Sequence, residues 1–216
     1  MSLGNATPAK GTNNQYRVLN ISGTVAEVVA MFDISTSQIF GSFEKYLGSS
    51  LDTALNTTWY NTLSTTAKAA IVDKTFKQDS WYWGTSGSPV YSGYYGTSNP
   101  GTSSYSVSLA DASYGSSITR HVYALSVQDV INYVTDTSVG DGKLQNYNIW
   151  KLFWNTTSKP STVTYPWLRS ANADNSSYCW NVSGSYGYVG YINYNNSRAS
   201  RPALTIDLSK IDFSVA

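Results

Sequence analysis

One histidine, His121, and one cysteine, Cys179, set narrow limits on the chemistry open to this 216-residue chain. A metal site or proton relay built from several histidines is excluded. A Ser–His–Asp triad needs only one, but no G-x-S-x-G elbow presents a serine, and His121 stands in an apolar run beside Val122 and Tyr123. It reads as a structural or surface side chain. Cys179 lies between Tyr178 and Trp180 with no neighbouring His or Arg to lower its pKa, so it reads as a small buried hydrophobe rather than a nucleophile. The carboxylates are scattered from Glu27 to Asp212, and none falls in a D-x-D-x-D-G loop or an H-E-x-x-H helix, so solvated or capping roles are expected of them. Two could meet across a cleft as in a glycosidase, a pairing that sequence cannot assign. The glycine-rich stretch 84–101 has no G-K-[ST] and no strand-to-helix G-x-G-x-x-G, so it offers no phosphate cradle. No enzymatic activity, no cofactor and no metal are therefore expected.

The residues that can do something else lie between Ala171 and Ser200, where Asp174 and Arg198 are the only charges. The remainder is largely Asn, Tyr, Ser and Gly. Tyr supplies a large contact area while freezing few torsions, and Ser, Gly and Asn supply adaptable hydrogen bonds, which is why antibody paratopes use the same alphabet. A Tyr-rich antiparallel sheet is the plainer reading, since Tyr favours strands. The six Asn in this window are poor strand formers, however, and they favour a loop-rich display surface. The expected contact residues are Asn172, Asp174, Asn175, Tyr178, Trp180, Asn181, Tyr186, Tyr188, Tyr191, Asn193, Tyr194, Asn195 and Asn196. Alternate positions of any strand point inward, so some of these are expected to be buried.

Composition places this surface in a class. Charged residues make up 12% and aromatics 14%, with eighteen Tyr and seven Trp, so the exterior must be covered by Ser, Thr, Asn, Gly and Tyr hydroxyls. A net charge of +1 supplies no long-range field to gather nucleic acid or anionic lipid, and neither is expected as a partner. A single cysteine allows no intrachain disulfide, which for an extracellular domain points to a prokaryotic or viral source. No apolar run is long enough to span a membrane. Met1-Ser2-Leu3-Gly4 carries neither a basic nor an apolar signal region: either a signal was trimmed or the protein reaches the outside on a particle.

The elements that must position these residues follow from patterning. Residues 1–14 read as a flexible leader and 15–216 as one α+β domain. Strands are expected at 16–21, 24–34 and 121–125. Leu51, Ala54, Leu55 and Trp59 form one stripe of a helix opened by Ser50 as N-cap, and Ser64 caps a second through Ala67, Ala70 and Ile71. Ser126-Val127-Gln128-Asp129 is a capping box before Val130, Ile131 and Val134. Ile149–Trp154 is an apolar patch. Residues 81–117, rich in Gly, Ser, Tyr and Thr, read as a loop insertion, and 165–212 as short strands and hairpins.

Two short motifs frame the Tyr/Asn window. Trp167-Leu168-Arg169-Ser170 precedes it and Arg201-Pro202-Ala203-Leu204 follows it. With Tyr16-Arg17-Val18-Leu19, the Trp59–Ser64 segment and Val122–Ser126, this order over residues 16 to 209 resembles a bacterial and phage family. Its fold is C-type-lectin-like (formylglycine-generating-enzyme-like), and some members are the variable proteins of diversity-generating retroelements. The resemblance implies a C-type lectin fold, with mixed antiparallel sheets, two or three short helices and long loops. It implies a variable region at about 167–204, diversified by adenine-directed mutagenesis, whose AAC-type codons yield Asn, Tyr, Ser and Asp. Trp167, Leu168, Arg169, Arg201 and Pro202 would be scaffold, with both arginines in buried hydrogen bonds or ion pairs. The displayed face would bind an unknown protein or cell-surface ligand, on a virion or a bacterial surface. The alternative is an undiversified structural component that uses this face for homo-oligomer or virion assembly. The calcium–sugar motifs of animal C-type lectins are absent, since Trp180-Asn181 is followed by Val182. The cysteine pair of a formylglycine-generating enzyme is missing too, so neither activity is implied.

Overall fold

The computed structural model describes residues 15–41, 45–83, 89–94, 117–134, 147–173, 175 and 177–211. The leader at 1–14, most of the 81–117 insertion and Asp174 lie outside the described residues. In chain order the first strands are β1 (Tyr16–Ser22), β2 (Val25–Ala30), β3 (Ser35–Gln38), β4 (Ile71–Val72), β5 (Lys74–Phe76), β6 (Asp79–Trp83) and β7 (Pro89–Tyr94). There follow β8 (Ile118–Arg120), β9 (Val122–Tyr123), β10 (Trp167–Asn172), β11 (Tyr178–Ser183), β12 (Tyr188–Asn193), β13 (Arg198–Ser200) and β14 (Ala203–Asp207). The helices are α1 (Ser50–Thr53), which runs through a π-helical segment at Ala54–Trp59 into α2 (Tyr60–Thr62), then α3 (Thr65–Ala70), α4 (Val127–Tyr133) and α5 (Tyr147–Trp154). The class is α+β, with sheets that are mostly antiparallel.

Two five-stranded sheets carry the architecture. In the first, β14 lies between β2 and β4 and also pairs with β9, so the last strand is held by one of the first. The second runs β12-β11-β10-β6-β7, and only its β10–β6 pairing is parallel. Both faces of β2 are covered, which explains why it is apolar apart from Glu27, a buried carboxylate that accepts from the Tyr123 and Tyr133 hydroxyls. Val28 enters a core with Leu51, Leu55 and Trp59 of the first helical segment, while Val29 enters a second core with Tyr123, Phe153 and Trp180. The strand period of two likewise sends Trp167 to the first core and Leu168 to the second.

Local signals explain most element ends. Ser64 Oγ accepts from Ala67 N, and Ser126 and Asp129 form the reciprocal capping box ahead of α4. The first helix is capped by Ser49 and not by Ser50: Ser49 Oγ accepts from Asp52 N at 3.0 Å, three residues on, and Ser50 is already helical. Of the 121–125 segment only Val122 and Tyr123 pair, because the chain turns at His121 and then runs out to the Ser126 cap. The Ile149–Trp154 patch is a helix. Its buried Ile149, Leu152 and Phe153 stand at i, i+3 and i+4, a spacing masked by Trp150 and Trp154. The start of the supposed loop insertion is the β6–β7 hairpin.

Candidate ligand-binding surface

The frame motifs are interior. Trp167 Nε1 donates to Gln38 O at 2.7 Å, and Ser170 Oγ donates to Asp79 Oδ1 at 2.5 Å while accepting from Val127 N at 2.8 Å. The buried Arg169 donates to Ala124 O at 2.7 Å, pairs with Asp129 and lies over the Phe76 ring. Burial works against its charge, but Asp129 and Asp79 outweigh it and hold its pKa above the ordinary value. Arg201, also buried, pairs with Asp33 at 2.7 Å, donates to Phe153 O and packs over Trp154. Pro202 is buried too, and its carbonyl accepts from Ala30 N at 2.8 Å. These contacts fix both ends of the Tyr/Asn window to the two cores.

Between them, β11 and β12 form a hairpin at the edge of the second sheet, closed by a four-residue turn at 184–187. Gly187 takes φ +63° there, a conformation open to glycine without a Cβ penalty, and its N–H donates to Ser183 O at 2.8 Å. Register sets which side chains meet: Trp180 faces Tyr191, Asn181 faces Gly190 and Ser183 faces Tyr188. Trp180 is fully buried and stacks on Trp83 at 5.9 Å. Tyr191 closes over them edge-on, 5.5 Å from Trp180 and 6.2 Å from Trp83, with Tyr178 at its other side at 5.6 Å. Tyr191 keeps 44% of its surface exposed and Tyr186 66%. Tyr186 stacks on Tyr188 at 5.8 Å and 22°.

Beside this hairpin lies an open pocket of about 530 Å³, lined by the tyrosines at 165, 186, 188 and 191 together with Trp83, Ile192, Gly190, Asn181, Ser183 and Arg198. The volume is in the range of small-ligand sites. Tyr165 Oη meets Ser185 Oγ at 2.7 Å, and the Arg198 guanidinium sits over the Tyr165 ring at 5.2 Å. With its amide oriented as its neighbours require, Asn181 donates to Gly190 O at 3.1 Å and accepts from Arg198 Nε at 3.1 Å. Arg198 Nη1 donates to Ser197 O at 2.8 Å. Partial burial lowers the Arg198 pKa, a pull that Tyr165 partly offsets.

The expected contact residues therefore divide. Tyr178, Tyr186, Tyr188, Tyr191, Asn193, Asn195 and Asn196 are exposed or half-buried. Trp180 is core and Asn172 is buried, so neither presents its side chain as a contact surface; Asn175 and Tyr194 are half-buried, Tyr194 packing against the first core. Asn181 is 6% exposed, and it orients Arg198 from the pocket wall. The asparagines are mostly turn formers. Asn172 Oδ1 accepts from Asn175 N, Asn175 Oδ1 from Ser177 N and Asn193 Oδ1 from Asn195 N, each at about 3 Å. Tyr165, Ser183, Gly190, Arg198 and Trp83 belong to the pocket and were not among the expected contacts. The only cation inside the window was a signal for Arg198; nothing local marks Trp83, which arrives from β6.

Elsewhere, His121 pairs with Asp73 through Nδ1 and stacks on Tyr60 at 4.5 Å, while Cys179 is fully buried. Among the described residues no group of three His, Cys, Asp or Glu is arranged to hold a metal, no helix is long and apolar enough to cross a membrane, and no carboxylate lines the pocket. No curated protein and no solved structure matches the chain. A family model does, from Ile34 to Leu208, a span that takes in both frame motifs and the hairpin between them. The chain is thus a member of the family described as "Domain of unknown function (DUF6273)".

Proposed function

We propose that this chain is a recognition module with a C-type-lectin-like fold, a variable protein of the retroelement type displayed on a virion or a bacterial surface. It binds a protein or cell-surface ligand through the β11–β12 hairpin and does no covalent chemistry. One observation carries the reading: exposed Tyr186 and Tyr191 and half-buried Tyr178 and Tyr188 stand on a hairpin whose flanks are locked into the interior by Trp167, Arg169 and Arg201. A rigid frame holding aromatic, uncharged contact residues beside an open pocket is what a binding surface requires. The fold reading draws support from the shared sheet of β2 and β14 and from helices packed on that sheet.

The test is adhesion of the purified chain to intact bacterial cells of several strains. The Tyr186→Ala/Tyr191→Ala double variant is expected to lose adhesion while remaining folded, with only a small drop in melting temperature. Adhesion to no strain, or undiminished adhesion by the variant, overturns the reading. The diversification part is tested separately: a template repeat beside a reverse-transcriptase gene must differ from the coding region of 172–196 only at adenines.

A further inference from the structure

We propose that the pocket beside the β11–β12 hairpin takes a hexuronate residue of an acidic polysaccharide, with Arg198 holding the carboxylate and the Tyr186–Tyr188 stack receiving the sugar ring. This rests on the recognition reading above and names its ligand.

Among the described residues Arg198 is the only charged side chain in the pocket wall. Three other arginines are matched to carboxylates: Arg120 with Asp52, Arg169 with Asp129 and Arg201 with Asp33. Arg17 is bonded to Asn155. Arg198 meets no carboxylate among the described residues, although it is partly desolvated against Tyr165. A cation partly shielded from water against an aromatic ring, with its solvent-facing edge open, gains from an incoming anion. Its fork is also oriented in advance. Asn181 holds Nε, the Ser197 carbonyl holds Nη1, and no described residue accepts from Nη2. A planar guanidinium fixed in this way suits a single carboxylate. Phosphate or sulfate clusters call for several cations or a helix N-terminus, and the pocket has neither.

The rest of the wall fits a polyhydroxylated ring. Tyr186 and Tyr188 lie nearly parallel, the Tyr188 ring packs over Gly190, and the outer ring, Tyr186, stays largely exposed. Their ring faces are apolar platforms for the C–H face of a pyranose. Ser183 and the linked hydroxyls of Tyr165 and Ser185 supply donors and acceptors for its hydroxyl groups. A chain terminus of a peptide would instead seek a nest of backbone N–H groups.

The experiment is calorimetric titration of the full chain with galacturonate and glucuronate trisaccharides, each beside its neutral galactose or glucose counterpart. At least one acidic sugar is expected to bind about tenfold or more tightly than its counterpart, the difference expected of a charged hydrogen bond. Arg198→Gln should erase that preference, Arg198→Lys should keep part of it, and Tyr188→Ala should weaken acidic and neutral sugars alike. Should Arg198→Gln fail to fold, the wild-type NMR spectrum decides: the acidic sugar must shift Arg198 Nε and the Tyr188 ring, and shifts confined to other sites overturn the proposal. Equal affinities, a preference that survives Arg198→Gln, or no saccharide binding while the chain still adheres to cells sink the hexuronate assignment and leave the recognition reading standing. A chain that neither adheres nor binds any saccharide overturns both.

Discussion

The ring of Tyr188 lies directly over Gly190, two residues along the same strand, and a Cβ at 190 would come within 2.7 Å of the ring's Cε2. Residues i and i+2 share a face, so the glycine is the space that the tyrosine occupies. Gly190→Ala is expected to push the ring off its stack with Tyr186 and to cost about 1 kcal/mol through overpacking. Ring resonances of Tyr186 and Tyr188, followed together with urea unfolding, measure both effects. An unchanged ring position would remove the glycine from the account of the pocket.

Arg169 and Asp129 tie the frame to α4, and both are largely buried. Removing one partner leaves an uncompensated buried charge, so Arg169→Met should cost about 3–5 kcal/mol, while the double change Arg169→Met/Asp129→Asn should cost less than either single change suggests. Chemical denaturation of the four proteins closes the cycle. The pH dependence has a defined sign. Burial raises the Asp129 pKa, but Arg169 and the Ser126 cap outweigh it and the net direction is down. Its stability is therefore present above the unfolded carboxylate pKa, near 4, and is lost as pH falls through the lowered folded value. Asp79 shifts the other way, because burial raises it against the opposing pull of Arg169, Ser170 and Trp81. Its contribution is present below about pH 4 and is lost as pH rises through the folded value. Asp129→Asn should flatten the acid limb of the stability curve, whereas Asp79→Asn should steepen it.

Cys179 sits opposite Ile192 in the β11–β12 register and is fully buried in the first core. Its thiol is expected to ignore a thiol-specific reagent in the native protein and to react at the rate of global unfolding. Fast labelling without denaturant would mean that the hairpin opens locally, which a rigid display frame excludes.

The parts of the fold that were legible in the sequence are those fixed by near neighbours. Ser64 and the Ser126/Asp129 box act over three residues, and Trp167-Leu168 alternates between two cores as a strand must. What stayed hidden depends on partners far along the chain. Trp81 and Tyr91 pair across a stretch whose Gly, Ser and Tyr show no period, and Trp83 joins Trp180 from nearly a hundred residues away. The composition of the window pointed to the hairpin, yet composition alone could not separate Tyr191 on the outside from Trp180 beneath it. The asparagines are ambiguous for a physical reason: a residue that bonds its own backbone is favoured both in display loops and in tight turns.

That ambiguity can be resolved at Asn193 and Tyr191, which lie two residues apart in β12. Asn193 Oδ1 accepts from Asn195 N at 3.0 Å, and Asn196 Nδ2 donates back to Asn193 O at 3.3 Å, so the side chain at 193 closes the turn that leads to Arg198. Asn193→Ala removes one partly exposed hydrogen bond and should cost about 0.5–1 kcal/mol, whereas Asn193→Asp retains the acceptor and should cost little. Neither change should abolish adhesion to cells. Tyr191→Ala, by contrast, strips a half-exposed ring from the Trp83–Trp180 pair and should reduce adhesion far more than it reduces stability. The same contrast bears on diversification. If position 193 is varied in nature, most substitutions carry the cost of the lost turn, so the tolerated set should be weighted towards Asn, Asp and Ser, while 191 accepts any side chain that leaves the tryptophans covered. Deep sequencing of a saturation library at 191 and 193, selected for folding alone, measures that weighting, and equal tolerance at the two positions would show that the turn does not depend on Asn193.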